Sequence, residues 1–134
     1  MGIFTDLIEI YEADGITVQS GLNADHFPGN AAGDIAFTYF FRGPEKMCKG
    51  GGIALAEIAF LEKLSENFQP RNIFAIGNAF GWSTLALALA NPQARVVAID
   101  LCPRPEEKLG LDLTNRLAKG LGLDVRAIKA RSPE

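Results

Sequence analysis

The chain has 134 residues, of which 48 % are hydrophobic and 22 % charged, and it carries a formal net charge of −3. That is the size and balance of one ordinary soluble globular domain with a modest core, and the acidic balance leaves no electrostatic footprint for a nucleic acid. The N-terminus lacks the positive n-region of a signal peptide, Asp6 stands where a myristoylation signal needs Ser or Thr, and no apolar run reaches the ~18 residues of a membrane span. Cys48 and Cys102 lie far apart and fit no metal spacing. These features predict a reduced, cytoplasmic protein with no metal, no nucleic acid and no membrane partner.

In chain order, residues 3–11 place Phe4, Leu7, Ile8 and Tyr11 on one helical face, and Asp14-Gly15 ends that helix. Ile16-Thr17-Val18 suits a short strand. From Ser20 to Gly33 the composition is that of a loop, which holds the only histidine, His26, beside Asp25, with Phe27 as an anchor. A lone loop histidine is more often a surface residue than a catalyst. The segment from Asp34 to Arg42 concentrates Phe37, Tyr39, Phe40 and Phe41, with strand and helix both open. Core packing is its plainer role, and an apolar wall or lid over a ligand its functional one. Lys49-Gly50-Gly51-Gly52 reads as a hinge, since no Lys-Ser/Thr follows to make a phosphate-binding P-loop. A helix is predicted over residues 53–68, with Ile58, Leu61, Leu64 and Phe68 as its apolar stripe.

The stretch from Asn72 to Asp100 organises the rest. Ile73-Phe74-Ala75-Ile76 has the length and composition of a strand buried on both faces. Gly77-Asn78-Ala79-Phe80-Gly81 breaks it, with two glycines where the backbone must turn tightly or approach a ligand. From Trp82 the sequence is helical: Ser83 and Thr84 are able to cap, and Asn91-Pro92 stops the helix. A second apolar run, Val96 to Ile99, ends on Asp100. Strand, glycine turn, helix, strand and acid form a βαβ nucleotide-binding half-unit. A helix that starts directly after such a turn aims unpaired N–H groups and a positive dipole end at whatever lies in the turn. An acid at the tip of the next strand is placed to accept both ribose hydroxyls, and Gly77 and Asp100 stand 23 positions apart, close to the ~20 usual between turn and ribose acid. The loop reads G-x-x-x-G, not the G-x-G-x-x-G of dinucleotide sites, which argues against NAD.

After Asp100, Leu101-Cys102-Pro103-Arg104-Pro105 makes a rigid turn. A helix follows over 106–119 with Leu109, Leu113 and Leu117 stacked, Gly120 and Gly122 end it, and residues 124–129 form a third strand.

The run AIGNAFGWSTLALALANPQARVVAID resembles the first two motifs of class I S-adenosylmethionine-dependent methyltransferases. The nearest variant is the catechol and caffeoyl-CoA O-methyltransferase type, whose loop reads E-I-G-x-x-x-G-Y-S-T. The resemblance covers residues 53–134. It implies that Gly77, Asn78, Ala79, Phe80 and Gly81 border the methionine part of S-adenosylmethionine, that Ser83 matches the family's serine just inside the helix, and that Asp100, with Leu101 beside it, holds the ribose. It also implies that the loop after the third strand meets adenine, which makes Ser132 a candidate. The family places Glu or Asp two residues before the first glycine, where this chain has Ala75.

The expected fold is α/β: a Rossmann-like three-layer sandwich of parallel strands in the order 3-2-1, with helices on both sides, incomplete relative to a seven-stranded methyltransferase. Residues 1–52 are expected to form a cap or acceptor side and residues 53–134 the cofactor-binding half-domain. The expected function is methyl transfer from S-adenosylmethionine to a small-molecule nucleophile. A non-catalytic cofactor-binding module or truncated fragment, and an NAD-binding oxidoreductase module, are the alternatives. No catalytic base and no metal ligand are assigned. In the family the strand at 73–76 is central, so here its free edge must be filled by a longer chain, by a second copy in a homodimer, or by the segment from Asp34 to Phe41.

Overall fold

The computed structural model describes residues 2–20, 37–47 and 52–132. The expectations for Asp25, His26 and Phe27, for Asp34, and for Cys48 to Gly51 lie outside the described residues.

Helix α1 (Ile3–Ala13) buries Leu7 and Tyr11 and ends at Asp14, after which Gly15, at φ 77°, turns the chain back. Strand β1 (Thr17–Ser20) pairs antiparallel with β2 (Phe37–Arg42), Val18 opposite Phe40. On its other side β2 meets β3 (Glu45–Lys46), reached through the turn at Gly43-Pro44, and β4 (Gly52–Ile53). The aromatic segment is therefore a strand of a separate antiparallel sheet and does not fill the edge beside residues 73–76. Pairs such as Thr17 with Phe41 join residues far apart in sequence, and no local periodicity announces them.

Helix α2 (Leu55–Asn67) opens on a capping arrangement in which Glu57 accepts the Ala54 N–H at 2.8 Å. Of the predicted stripe, Ile58 is buried, but Leu64 and Phe68 are 44 % and 62 % exposed. Helix α2 lies against α1 and α3, and Phe60, Leu64 and Phe68 stand exposed along it.

The second sheet is parallel, in the order β5 (Asn72–Ile76), β6 (Arg95–Asp100), β7 (Val125–Lys129), with α3 (Trp82–Ala90) and α4 (Pro105–Gly120) as the crossovers. Ala75, Ala98 and Ala127 stand side by side in register, and Leu111 of α4 packs against them. Small side chains on that face let the helix approach closely. The neighbouring positions along each strand point the other way, and there Phe74 and Ile76 are 61 % and 67 % exposed.

Two corrections follow. The strand at 73–76 is not buried on both faces, and among the described residues the two crossover helices lie on one side of this sheet, which makes a two-deep layer there. The reason is topological: right-handed crossovers that step in the same direction along a sheet put their helices on the same face. Covering the other face requires a connection that leaves β5 in the opposite direction.

Helix α4 begins at Pro105, which the rigid-turn reading had kept outside the helix; proline fits a first helical position because that N–H is unpaired anyway. Leu109, one of its three stacked leucines, is 65 % exposed. The main core joins Leu7 and Tyr11 of α1, Ile16, Phe40 of β2, Ile58 of α2, Phe80, Trp82 and Leu85 of the loop and α3, and Leu113 of α4. The expected boundary between residues 52 and 53 falls within β4, and this core lies across it.

Candidate functional site

The site sits at the carboxyl ends of β5 and β6. Strand β5 runs out at Ile76, and Gly77 turns the chain at φ 88° while its N–H donates to Ile99 O at 2.8 Å. Gly81, at φ 87°, is the residue before the first turn of α3. Glycine is needed at Gly81 twice over: for its left-handed backbone, and because a Cβ there would overlap the Thr114 hydroxyl. Gly110 serves the same contact from the α4 side, since a Cβ on it would overlap the Ala79 carbonyl oxygen. The loop 77–81 is thus pressed directly onto α4.

Asn78 anchors the loop from below. Its side chain is buried, with Nδ2 donating to Thr114 Oγ1 and to Ala79 O, both at 3.0 Å, and Oδ1 accepting the Thr84 hydroxyl at 2.9 Å. Thr114 passes the chain on to Gly110 O at 2.7 Å. Every polar atom of this buried group is satisfied, so it holds one geometry. Thr84 therefore spends its hydroxyl on Asn78, and neither it nor Ser83 caps α3, whose cap position makes no side-chain hydrogen bond. Tyr11 Oη donates to Phe80 O at 2.6 Å, tying α1 to the same loop; burial holds that phenol protonated, far above its ordinary range.

Asp100 faces the loop from the end of β6. Its Oδ2 accepts the N–H groups of Asn78 and Ala79, each at 2.8 Å, and its Oδ1 accepts the Cys102 N–H at 3.0 Å. Burial pushes this carboxyl up, but the backbone donors of Ala79, Cys102 and Asn78, with the Cys102 thiol, outweigh it, and the group stays below the usual carboxylate range. Burial and the negative charges of Asp100 and Glu107 push the Cys102 thiol the other way, so it remains a protonated donor.

Two cavities meet at Gly77 and Asp100. One, of about 330 Å³, is lined by Gly77, Asn78, Ala79, Phe80, Ser83 and Asp100, with Phe40, Gly52 and Ile53 from the antiparallel sheet. The other, of about 380 Å³, is lined by Ile99, Asp100, Leu101, Ala130, Arg131 and Ser132. Of the residues expected to bind cofactor, Gly77, Asn78, Ala79, Phe80, Ser83 and Asp100 stand on the first cavity, and Leu101 and Ser132 join Gly77 and Asp100 on the second. Gly81 lines neither and shapes the turn behind them. Phe40, from the aromatic segment expected as core or as an apolar wall, lines the first cavity; sequence reasoning missed Gly52, Ile53 and Trp82 there and Arg131 on the second. Arg131 was open to the carboxyl-end rule for strands; the aromatic composition of β2 signalled an apolar wall, but the placing of β4 beside it depends on long-range pairing and had no local signal. No group of His, Cys, Asp and Glu able to hold a metal occurs among the described residues, and no described helix is long and apolar enough to cross a membrane.

No family model and no curated protein matches the sequence. Among solved structures, the chain is similar to cofactor-bound Rv0187 from MTB, at 25 % identity and a TM-score of 0.48, over 60 % of this chain and 36 % of that one. It is also similar to a candidate O-methyltransferase from Klebsiella pneumoniae, at 14 % identity and a TM-score of 0.49, over 98 % of this chain and 44 % of that one. A third is coclaurine N-methyltransferase bound to N-methylheliamine and SAH, at 15 % identity and a TM-score of 0.46, over 96 % of this chain and 37 % of that one. The chain spans less than half the length of each of these proteins.

Proposed function

We propose that the chain binds S-adenosylmethionine across the two cavities and is a methyltransferase, or the cofactor-binding part of one, acting on a small-molecule nucleophile. The observation that carries this reading is the carboxylate of Asp100 seated on the amides of the 77–81 loop. In a dinucleotide site those amides must be free to receive a pyrophosphate. Here they already face an anion, and its charge repels a second one. The same charge favours a ligand that carries cations and no phosphate, such as a sulfonium with an ammonium group.

S-adenosylmethionine, when bound, supplies a methyl group already activated by its sulfonium. The protein is then left with holding donor and acceptor in line and keeping water out. In this reading Gly77 and Ala79 border the methionine end and Asp100 takes the ribose. Leu101 stands beside Asp100, Ser132 lies along the adenine, and Phe40, Ile53 and Trp82 supply the apolar wall of the first cavity.

Calorimetric titration of S-adenosylhomocysteine, with NADH as the competing candidate, tests the reading. S-adenosylhomocysteine should bind and raise the unfolding midpoint by mass action, and Asp100→Ala should abolish most of that binding. Stabilisation by NADH alone would move the chain to the oxidoreductase class, and binding of S-adenosylhomocysteine with no turnover over a broad acceptor panel to the non-catalytic one.

A further inference from the structure

Only two non-glycine residues among those described have a left-handed backbone, Ala79 at φ 44° and Cys102 at φ 47°. They come from different loops, 23 positions apart, and both give their N–H to the same carboxylate, Asp100. A Cβ in this region is strained, and such residues persist only where surrounding contacts over-determine them. Here that contact is shared.

Most of the acceptor capacity of the carboxylate is also taken. A carboxylate offers about four lone-pair positions. Asn78 and Ala79 take two on Oδ2, and the Cys102 N–H takes one on Oδ1. A ligand with two vicinal hydroxyls, as on a ribose, needs two of those positions.

We propose that Asp100 is the positioning residue of the 77–81 loop as well as the diol acceptor, and that loop amides and ligand hydroxyls compete for it. Without ligand the carboxylate clamps Ala79 and Cys102 in their left-handed conformations. When a diol takes its oxygens, at least one of these amides lets go, its residue relaxes, and the released N–H turns free for the ligand or for water. Part of the affinity for a diol ligand is then the strain released at Ala79. The clamp itself is independent of the methyltransferase reading; only the identity of the diol rests on it.

This yields an expectation opposite to the usual one for a cofactor loop. Ala79→Gly brings the loop nearer to the bare backbone of nucleotide sites, yet it removes the strain that favours release, so the clamp tightens. Amide hydrogen exchange on the full ligand-free chain reads the clamp directly. Asp100→Asn should lower protection at Asn78, Ala79 and Cys102 by about tenfold or more while Val96 and Ala98 in β6 keep theirs. Ala79→Gly should raise protection at position 79 and at Asn78 by roughly tenfold, the scale of a left-handed alanine penalty. In titrations with S-adenosylhomocysteine, Ala79→Gly should bind about tenfold more weakly than the unmodified chain. Unchanged protection in Ala79→Gly, or binding as tight as in the unmodified chain, overturns the competition. If Asp100→Asn fails to fold, the Ala79→Gly exchange decides alone. Exchange as expected with no binding of S-adenosylhomocysteine leaves the clamp standing and removes the methyltransferase reading instead.

Discussion

The two faces of the parallel sheet are written in similar letters and meet opposite fates. On one, Ala75, Ala98 and Ala127 form a flat floor on which Leu111 of α4 rests, and Ala98 has no exposure at all. On the other, Phe74 and Ile76 of the edge strand are larger and more hydrophobic, yet stand largely in solvent, while Ile99 beside Ile76 is 6 % exposed. Apolar character decides what a residue gains by burial, but the path of the chain decides whether anything comes to bury it. The covered face also carries the site, because the helix that covers it is the one pinned to the 77–81 loop at Gly110 and Thr114.

The comparison breaks most severely at the point where α4 meets the loop. Gly110→Val puts a branched side chain into the Ala79 carbonyl, and no small shift relieves it because both partners are backbone. The cost should exceed about 4 kcal/mol, or no folded protein should be recovered; a urea midpoint within a few tenths molar of the unmodified chain would show that α4 does not sit as described. Next comes the floor itself: Leu111→Ala should cost about 2–4 kcal/mol in the same measurement, through lost burial and the cavity left behind.

Smaller is the link between α1 and α4, where Arg116 makes a two-pronged contact to Asp14, Nη1 to Oδ1 at 2.5 Å and Nη2 to Oδ2 at 3.0 Å. The Arg116 hydrogen bond holds the Asp14 carboxyl below its usual range, burial opposing and the charges of Arg116 and Arg42 adding to it. Arg116→Ala should cost under about 1 kcal/mol, since the pair is largely at the surface. Asp14 and Asp100 share a pH signature, both carboxyls being lowered by folding. A group whose folded pKa lies below its unfolded value contributes stability above the unfolded value, and that contribution is lost as pH falls through the folded one. Stability should therefore decline below about pH 4, and Asp100→Asn should flatten that acid limb. A limb unchanged in that variant would deny Asp100 its amide partners.

The uncovered face should give the smallest effect. Phe74→Ser together with Ile76→Thr should move the unfolding free energy by about 0.5 kcal/mol or less in total, since neither side chain loses a buried environment. A loss of 2 kcal/mol or more would show the face to be covered in solution and would sharpen the contrast into one between two kinds of cover.

By itself the amino-acid sequence determined the local elements of the βαβ unit. Short continuous apolar runs, two glycines in a five-residue turn, a helix-forming stretch and an acid 23 positions after the first glycine are short-range signals, and backbone sterics act over that range. The glycine turn, α3 and the placement of Asp100 near the loop were all legible in this way. Only the tertiary structure decided the rest. The antiparallel sheet of β1, β2, β3 and β4 joins segments whose pairing no periodicity specifies, and with it came the Phe40 and Ile53 wall of the first cavity. Whether Phe74, Leu64 and Leu109 are core or surface depended on which elements arrived opposite them. Asn78 reads in the loop as a ligand contact, but its side chain turns inward because Thr84 and Thr114, 6 and 36 residues away, offer partners there. Asp100 reads as a free acid, and it is a clamp because two backbones from separate loops bring it their amides. A hydrogen bond needs its donor and acceptor placed to within a fraction of an ångström, and over such separations only the assembled fold supplies that placement.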